Sequence, residues 1–263
     1  MRRLKAQGAH SIKNYNQPRR DQRQQVVAAA IAENMEVVAE GGSLFAQDVS
    51  IIQDGNTSLE HNFPQRVLYE DVLSLFSQTK VAYTPTLVVS FGGLGGDEYW
   101  RSATNVWEHP ILSRHVPPHI LQPKSVRRVK APDVDFQDQY IAREAHKLAA
   151  RGVMVNTGAH GQEEGLGTHW ELWSLVRGGW TPLEALRAAT ATPARHLGLD
   201  ADIGTLETGK LADLLILDAN PLDDIRNSDT LSGVMLNGRL YDPVTMNEKI
   251  TGDSKRAPYY WEK

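Results

Sequence analysis

Short apolar runs alternate with longer amphipathic stretches from the start of the chain, and that alternation predicts successive βα units. Residues 11–16 predict a short strand. Pro18 then opens a connection into a helix from Asp21, whose side chain is placed to cap it, through Val26, Val27, Ala30 and Ile31. Residues 36–40 read as a second strand ended by Gly41 and Gly42, residues 43–54 as a helix closed by Gly55, and residues 57–61 as a third strand. A helix over 69–80 and an extended run over 81–89, with Pro85 favouring its end, complete the next unit. Residues 90–134 break the rhythm with paired glycines and several prolines, a pattern of lids, binding loops or surface excursions. Regularity returns with a helix over 135–151, a strand over 153–157, the polar turn 158–162, a helix around 170–177 and another from Thr181-Pro182 to about Leu197. Beyond residue 200 the pattern becomes short strands, 211–218 and 231–236, with turns at Asn220-Pro221 and Asn237-Gly238.

These elements divide the chain into an α/β region, 1–199 with the insertion 90–134, and a β-rich segment, 200–263. Five βα units are too few for a closed (β/α)8 barrel, which takes about 250 residues. Composition narrows the chemistry. The 263 residues include no cysteine, so thiolate metal sites, disulfides and a cysteine nucleophile are excluded and any metal must use histidine, carboxylate or modified lysine. A net charge of −4 offers no general attraction to nucleic acid or acidic lipid. No run approaches the roughly 20 apolar residues that span a bilayer, and the first residues carry no apolar signal core.

In barrel-like folds the working groups stand where strands end. Lys13, Glu40, His61 and His160 each occupy such a position, so a barrel would gather them at one mouth. Imidazole and carboxylate are ordinary ligands of zinc and related divalent ions, which acidify bound water and polarise carbonyls. Plain roles stand beside this one: Lys13 pairing with a carboxylate, Glu40 capping the helix near Ser43, His61 as a hydrogen-bonded interior histidine and His160 as a loop residue bonded to backbone. Tyr15, Arg19 and Arg20 are candidates to meet an anionic substrate, Tyr83 to donate to a developing oxyanion, and Trp100 and Trp107 to form a hydrophobic lid. A core tyrosine, solvated arginines and packing tryptophans are the alternatives.

Residues 203–218, Ile-Gly-Thr-Leu-Glu-Thr-Gly-Lys-Leu-Ala-Asp-Leu-Leu-Ile-Leu-Asp, resemble the closing motif of the amidohydrolase superfamily, and 181–190, 193–195 and 234–239 extend the likeness. Upstream, Ile12-Lys13-Asn14-Tyr15 and Leu59-Glu60-His61-Asn62 look like the fourth-strand lysine and sixth-strand histidine segments of imidazolonepropionase-like members. The wording of 16–20, 40–43 and 158–162 is similar to amidohydrolases fused behind a TolB-like β-propeller. The resemblance implies a partial TIM-type barrel, about strands four to eight, with a small composite β-sandwich segment. It also implies a divalent metal, zinc foremost, as one or two ions, and hydrolysis of a C–N bond in a small linear or cyclic amide. Periplasmic export would follow from the propeller-fused relatives.

Two departures bear on the site. The family's first-strand His-x-His pair occurs nowhere in the chain, and where the fifth strand usually offers histidine and the eighth Gly-Thr-Asp, this sequence has Glu40 and Gly158-Ala159-His160. The resemblance therefore implies Glu40, His61 and His160 as metal ligands, His160 also as proton shuttle, and Lys13 as a carboxylated bridge or a substrate contact. His169, preceding an amphipathic helix, matches a recurring family position and is a candidate substrate contact, with a supporting or helix-capping role beside it. The chain alone is expected to have little activity, with an N-terminal barrel and sandwich segment, or a second chain, completing it. A noncatalytic binding relative and an assembly module that pairs through its sheet edge, as in a homo-oligomer, are the alternatives.

Overall fold

In a computed structural model of the chain, all residues are described except Asn16, Pro18 and Lys263, with the side chains of Lys124 and Ser125 also left aside. The connection expected at Pro18, and part of the 16–20 wording, lie outside the described residues. After helix α1 (Arg2–Ala6) come β1 (Ser11–Asn14), α2 (Arg20–Ala32), β2 (Glu36–Glu40), α3 (Phe45–Gln53), β3 (Ser58–Glu60), α4 (Glu70–Ser77) and β4 (Ala82–Thr84). The four strands form one parallel sheet in the order β1-β2-β3-β4. Parallel order follows from the helix that separates each strand from the next. Residue 155 adds a parallel bridge to Tyr83, with Tyr83 and Asn156 amides bonded across at 2.8 Å each, so the expected strand 153–157 survives as a single pairing beside β4. Successive parallel βα units of this kind fit a TIM-type barrel.

The helices cover the outer face. Leu59, Phe63, Phe76, Tyr83, Leu148 and Trp170 are all within 2% of full burial in the principal core. Asp21 does not cap α2: Arg19 holds the cap position, and Asp21 sits in the first turn, where its charge faces the helix's positive end.

The insertion differs from expectation. It is largely helical, with α5 (Gly96–Ala103), α6 (Leu112–His115) and α7 (Pro118–Val126), followed by α8 (Asp138–Ala150). Trp100 is no lid: its indole donates to Ser174 Oγ at 2.8 Å and its ring stands edge-on to Trp173 at 5.2 Å, inside the core. Gly95 and Gly96 make that docking possible, since a Cβ on either would lie under 3.0 Å from the carbonyl of Val88 or Leu87.

Helix α9 (Leu166–Arg177) begins earlier than expected, and the long C-terminal helix divides at Thr190 into α10 (Pro182–Ala189) and α11 (Ala191–His196). Thr181 and Glu184 form a capping box at the start of α10. The segment beyond residue 200 is a three-stranded antiparallel sheet, β5 (Leu214–Leu217), β6 (Leu231–Leu236) and β7 (Arg239–Tyr241). Asn237 and Gly238, both at positive φ, make the tight hairpin between β6 and β7.

Candidate active site

Register places the site. Glu40, Glu60 and Thr84 are direct neighbours across β2, β3 and β4, and Lys13, Val38, Ser58 and Ala82 form the row two residues earlier. Residues in register on a parallel sheet project to the same side, so the strand ends present a polar row over a mixed one. Lys13 Nζ lies 2.5 Å from Glu40 Oε2, and Glu40 Oε1 lies 3.8 Å from His61 Nε2. The His61 and His160 rings meet edge to face at 5.2 Å. Four groups from three strand ends and one loop thus converge on one patch.

The backbone is strained there. His61, Thr86 and His160 have φ of +70°, +53° and +55°, conformations that cost non-glycine residues energy and that collect at functional sites. At His61 this turn breaks the strand's alternation just as the imidazole reaches Glu40. Burial holds the His61 imidazole below its ordinary pKa against the opposing pull of Glu40, which favours the neutral ring, and its buried Nδ1 has no hydrogen-bond partner among the described residues. The Lys13 ammonium is held above its usual range by its hydrogen bond to Glu40. Burial pushes the Glu60 carboxyl upward despite a 2.6 Å bond from Ser58 Oγ.

The turn after β2 is shaped for this arrangement. A Cβ at Gly41 would lie 2.9 Å from the Glu60 carbonyl, and the Gly42 amide donates to buried Asp48 at 2.9 Å. Glu40 therefore does not cap the following helix, whose cap position is Leu44 with Asp48 holding the turn.

The remaining sequence candidates scatter. Tyr15 lies under the Lys13 ammonium at 4.5 Å and is half exposed, and Arg19 pairs with Asp21 at 3.2 Å in solvent. Tyr83 does not face the mouth. It is 2% exposed among Phe63 and Phe76, and its hydroxyl, bonded to the Phe63 backbone, is held by burial far above the usual phenol range. His169 lies inside α9 rather than before it, its Nδ1 3.0 Å from Ser228 Oγ. Sequence reasoning passed over Glu60 and Asn156, whose Nδ2 lies 3.0 Å from His196 Nδ1. The signal for Glu60 was its place beside His61 at a strand end; His196 had none, because only the fold brings α11 to the strand.

Glu40 and His61 suit a divalent cation as two donors, since atoms bound to one ion at about 2.0–2.2 Å lie at most about 4.4 Å apart. Among the described residues, however, no group of three or more His, Asp or Glu is gathered closely enough to hold an ion.

A family described as "Amidohydrolase family" matches residues 24–241. Over 55 residues the chain is 46% identical to an Aspergillus niger protein named ochratoxinase, a stretch that is 20% of this chain and 12% of that one. Over 73 residues it is 43% identical to an imidazolonepropionase of Rubrobacter xylanophilus, 27% of this chain and 18% of the relative. A crystal structure of a Xaa-Pro dipeptidase with bound methionine shares its fold at a TM-score of 0.65 and 24% identity, covering 92% of this chain and 56% of the other. The Aspergillus niger ochratoxinase structure aligns at a TM-score of 0.62 and 24% identity, over 98% of this chain and 56% of its own. The chain spans little more than half the length of these solved structures.

Proposed function

Because this chain belongs to the amidohydrolase family, we propose that it is the part of a metal-dependent hydrolase, from about barrel strand four onward, that acts on a non-peptide C–N bond in a small linear or cyclic amide. The convergence of Glu40, His61 and His160 at the ends of parallel strands carries this reading. Glu40 and His61 would hold a divalent ion, zinc foremost, with His160 beside them. Such an ion supplies an acidified water and a polarised carbonyl. The neutral His61 imidazole keeps a lone pair for ligation. His160, exposed with its Nδ1 3.3 Å from Gln162 Oε1, would carry a proton to the departing nitrogen. Lys13 neutralises Glu40 as an ammonium; as a carbamate it would set two anions together, an arrangement that only an intervening cation favours. Tyr15 borders the same patch beneath the Lys13 ammonium, and Arg19, paired with Asp21, would be a more distant substrate contact. Further ligands would come from outside these 263 residues, from a preceding barrel and sandwich segment or a second chain.

A second reading, a binding relative without metal, is favoured by the Lys13–Glu40 ion pair, which already satisfies one carboxylate oxygen. Equilibrium dialysis against zinc followed by elemental analysis separates the two. With the preceding segment present to complete the ligand set, the metal reading expects bound zinc and its loss in a Glu40→Ala, His160→Ala double variant. Equal zinc in both proteins would refute it.

A further inference from the structure

Glu171 of α9 is a fully buried carboxyl with no cation against it among the described residues, and the chemistry above does not use it. Its two oxygens part to serve two loops. Oε1 accepts the Val88 amide at 2.7 Å, in the turn that follows β4 and contains Thr86, while Oε2 accepts the Gly158 amide at 3.3 Å, two residues before His160. The loops are in close contact: a Cβ at Gly158 would lie 2.6 Å from Thr84 Cγ2 and 3.3 Å from Thr86 Oγ1. From the other side the first amides of α5 grip the carbonyls of Leu87 and Val88 at 2.8 and 3.2 Å. The two loops thus share one anchor, and each contains a residue in the strained left-handed region, Thr86 and His160.

We propose that Glu171 is a positioning residue: its carboxylate latches the Val88 turn to the Gly158 turn and thereby fixes where His160 stands against His61. Only a carboxylate offers an acceptor to both amides, since a glutamine would turn its NH2 toward one of them. Burial, with Asp138 as a charged neighbour, raises this carboxyl to about 8 against the pull of the backbone donors, so both oxygens are free to accept once the proton has left, above about pH 8.

The meaning of the latch for catalysis rests on the function proposed above, but its existence is read without metal or substrate, so the two stand or fall separately. The test is amide exchange and imidazole NMR, at a pH above that at which the Glu171 carboxyl ionises, on the 263-residue chain and its Glu171→Gln variant. The variant is expected to exchange the Gly158 amide at least about tenfold faster, as a lost hydrogen bond of about 1.4 kcal/mol implies, and to shift the His160 imidazole resonances while the Gly42 amide, held by Asp48, stays put. If the variant does not fold, the unmodified chain answers: the Val88 and Gly158 amide shifts should follow the titration of the Glu171 carboxyl. A folded variant with unchanged Gly158 exchange and His160 shifts overturns the proposal, as do amide shifts indifferent to that titration.

Discussion

At the scale of single residues, the site is governed by small groups that leave room and buried groups that resist charge. Gly41→Ala would press a methyl against the Glu60 carbonyl and Leu59 Cδ1, both 2.9 Å away. We expect it to destabilise the fold by about 1–3 kcal/mol in urea denaturation, the usual range for overpacking. Asp48 is the acidic counterpart. Burial raises its carboxyl to about 7, well above the value near 4 that it has in the unfolded chain. Its contribution to stability is therefore fully present below pH ~4 and is lost as pH rises through about 7, at a slope of about 1.4 kcal/mol per pH unit. An Asp48→Asn variant should show a flatter pH dependence of its unfolding midpoint than the unmodified chain between pH 4 and 7. Parallel curves would mean that Asp48 does not hold its proton. Lys13, Glu40, His61 and His160 were all legible as strand-end polar residues. Tyr83 was misread because a strand presents alternate sides, and sequence does not say which side the helices cover. The row that contains Glu40 and Glu60 points to the site, whereas Tyr83, one residue before Thr84, points into the helix-covered core.

At the scale of elements, β1 to β4 and their helices follow the hydrophobic period, and the endpoints that moved did so for local reasons. Thr84 ends β4 because Pro85 follows and Thr86 turns left-handed. The insertion is where local reading failed. Its glycines and prolines signal irregular chain, yet Gly95 and Gly96 serve close approach, and α5 is held by Trp100 and by Arg101, which reaches Asp97 at 2.7 Å and the Gln162 carbonyl at 2.9 Å. Trp100→Ala should accordingly cost about 3–5 kcal/mol of unfolding free energy, the range for truncating a buried aromatic. A mobile lid would lose almost nothing, so a change below about 1 kcal/mol would contradict the core assignment of this ring.

At the scale of the whole molecule, two surfaces bear on assembly. Four consecutive apolar residues in β5 read as a strand covered on both faces, yet Leu215 and Ile216 are 53% and 42% exposed. Among the described residues, no strand pairs with the outer edge of β1. An exposed apolar strand and an open sheet edge are surfaces on which copies of a chain can pair. Light scattering across a concentration series should then show the isolated chain associating as concentration rises. A mass that stays monomeric throughout would exclude pairing between copies.

The order of β1 to β4 and their helices, the parallel sense of that sheet and the identity of the strand-end residues were determined by sequence alone, because period, glycine stops and helix-length connections are local properties. Tertiary structure decided which of those residues meet. A distance such as 3.8 Å between Glu40 and His61 depends on register between strands 20 residues apart, and the burial of Trp100, Glu171 and Tyr83 depends on which helix lies over them. Hydrophobic pattern fixes that a side is buried; only packing fixes what it is buried against.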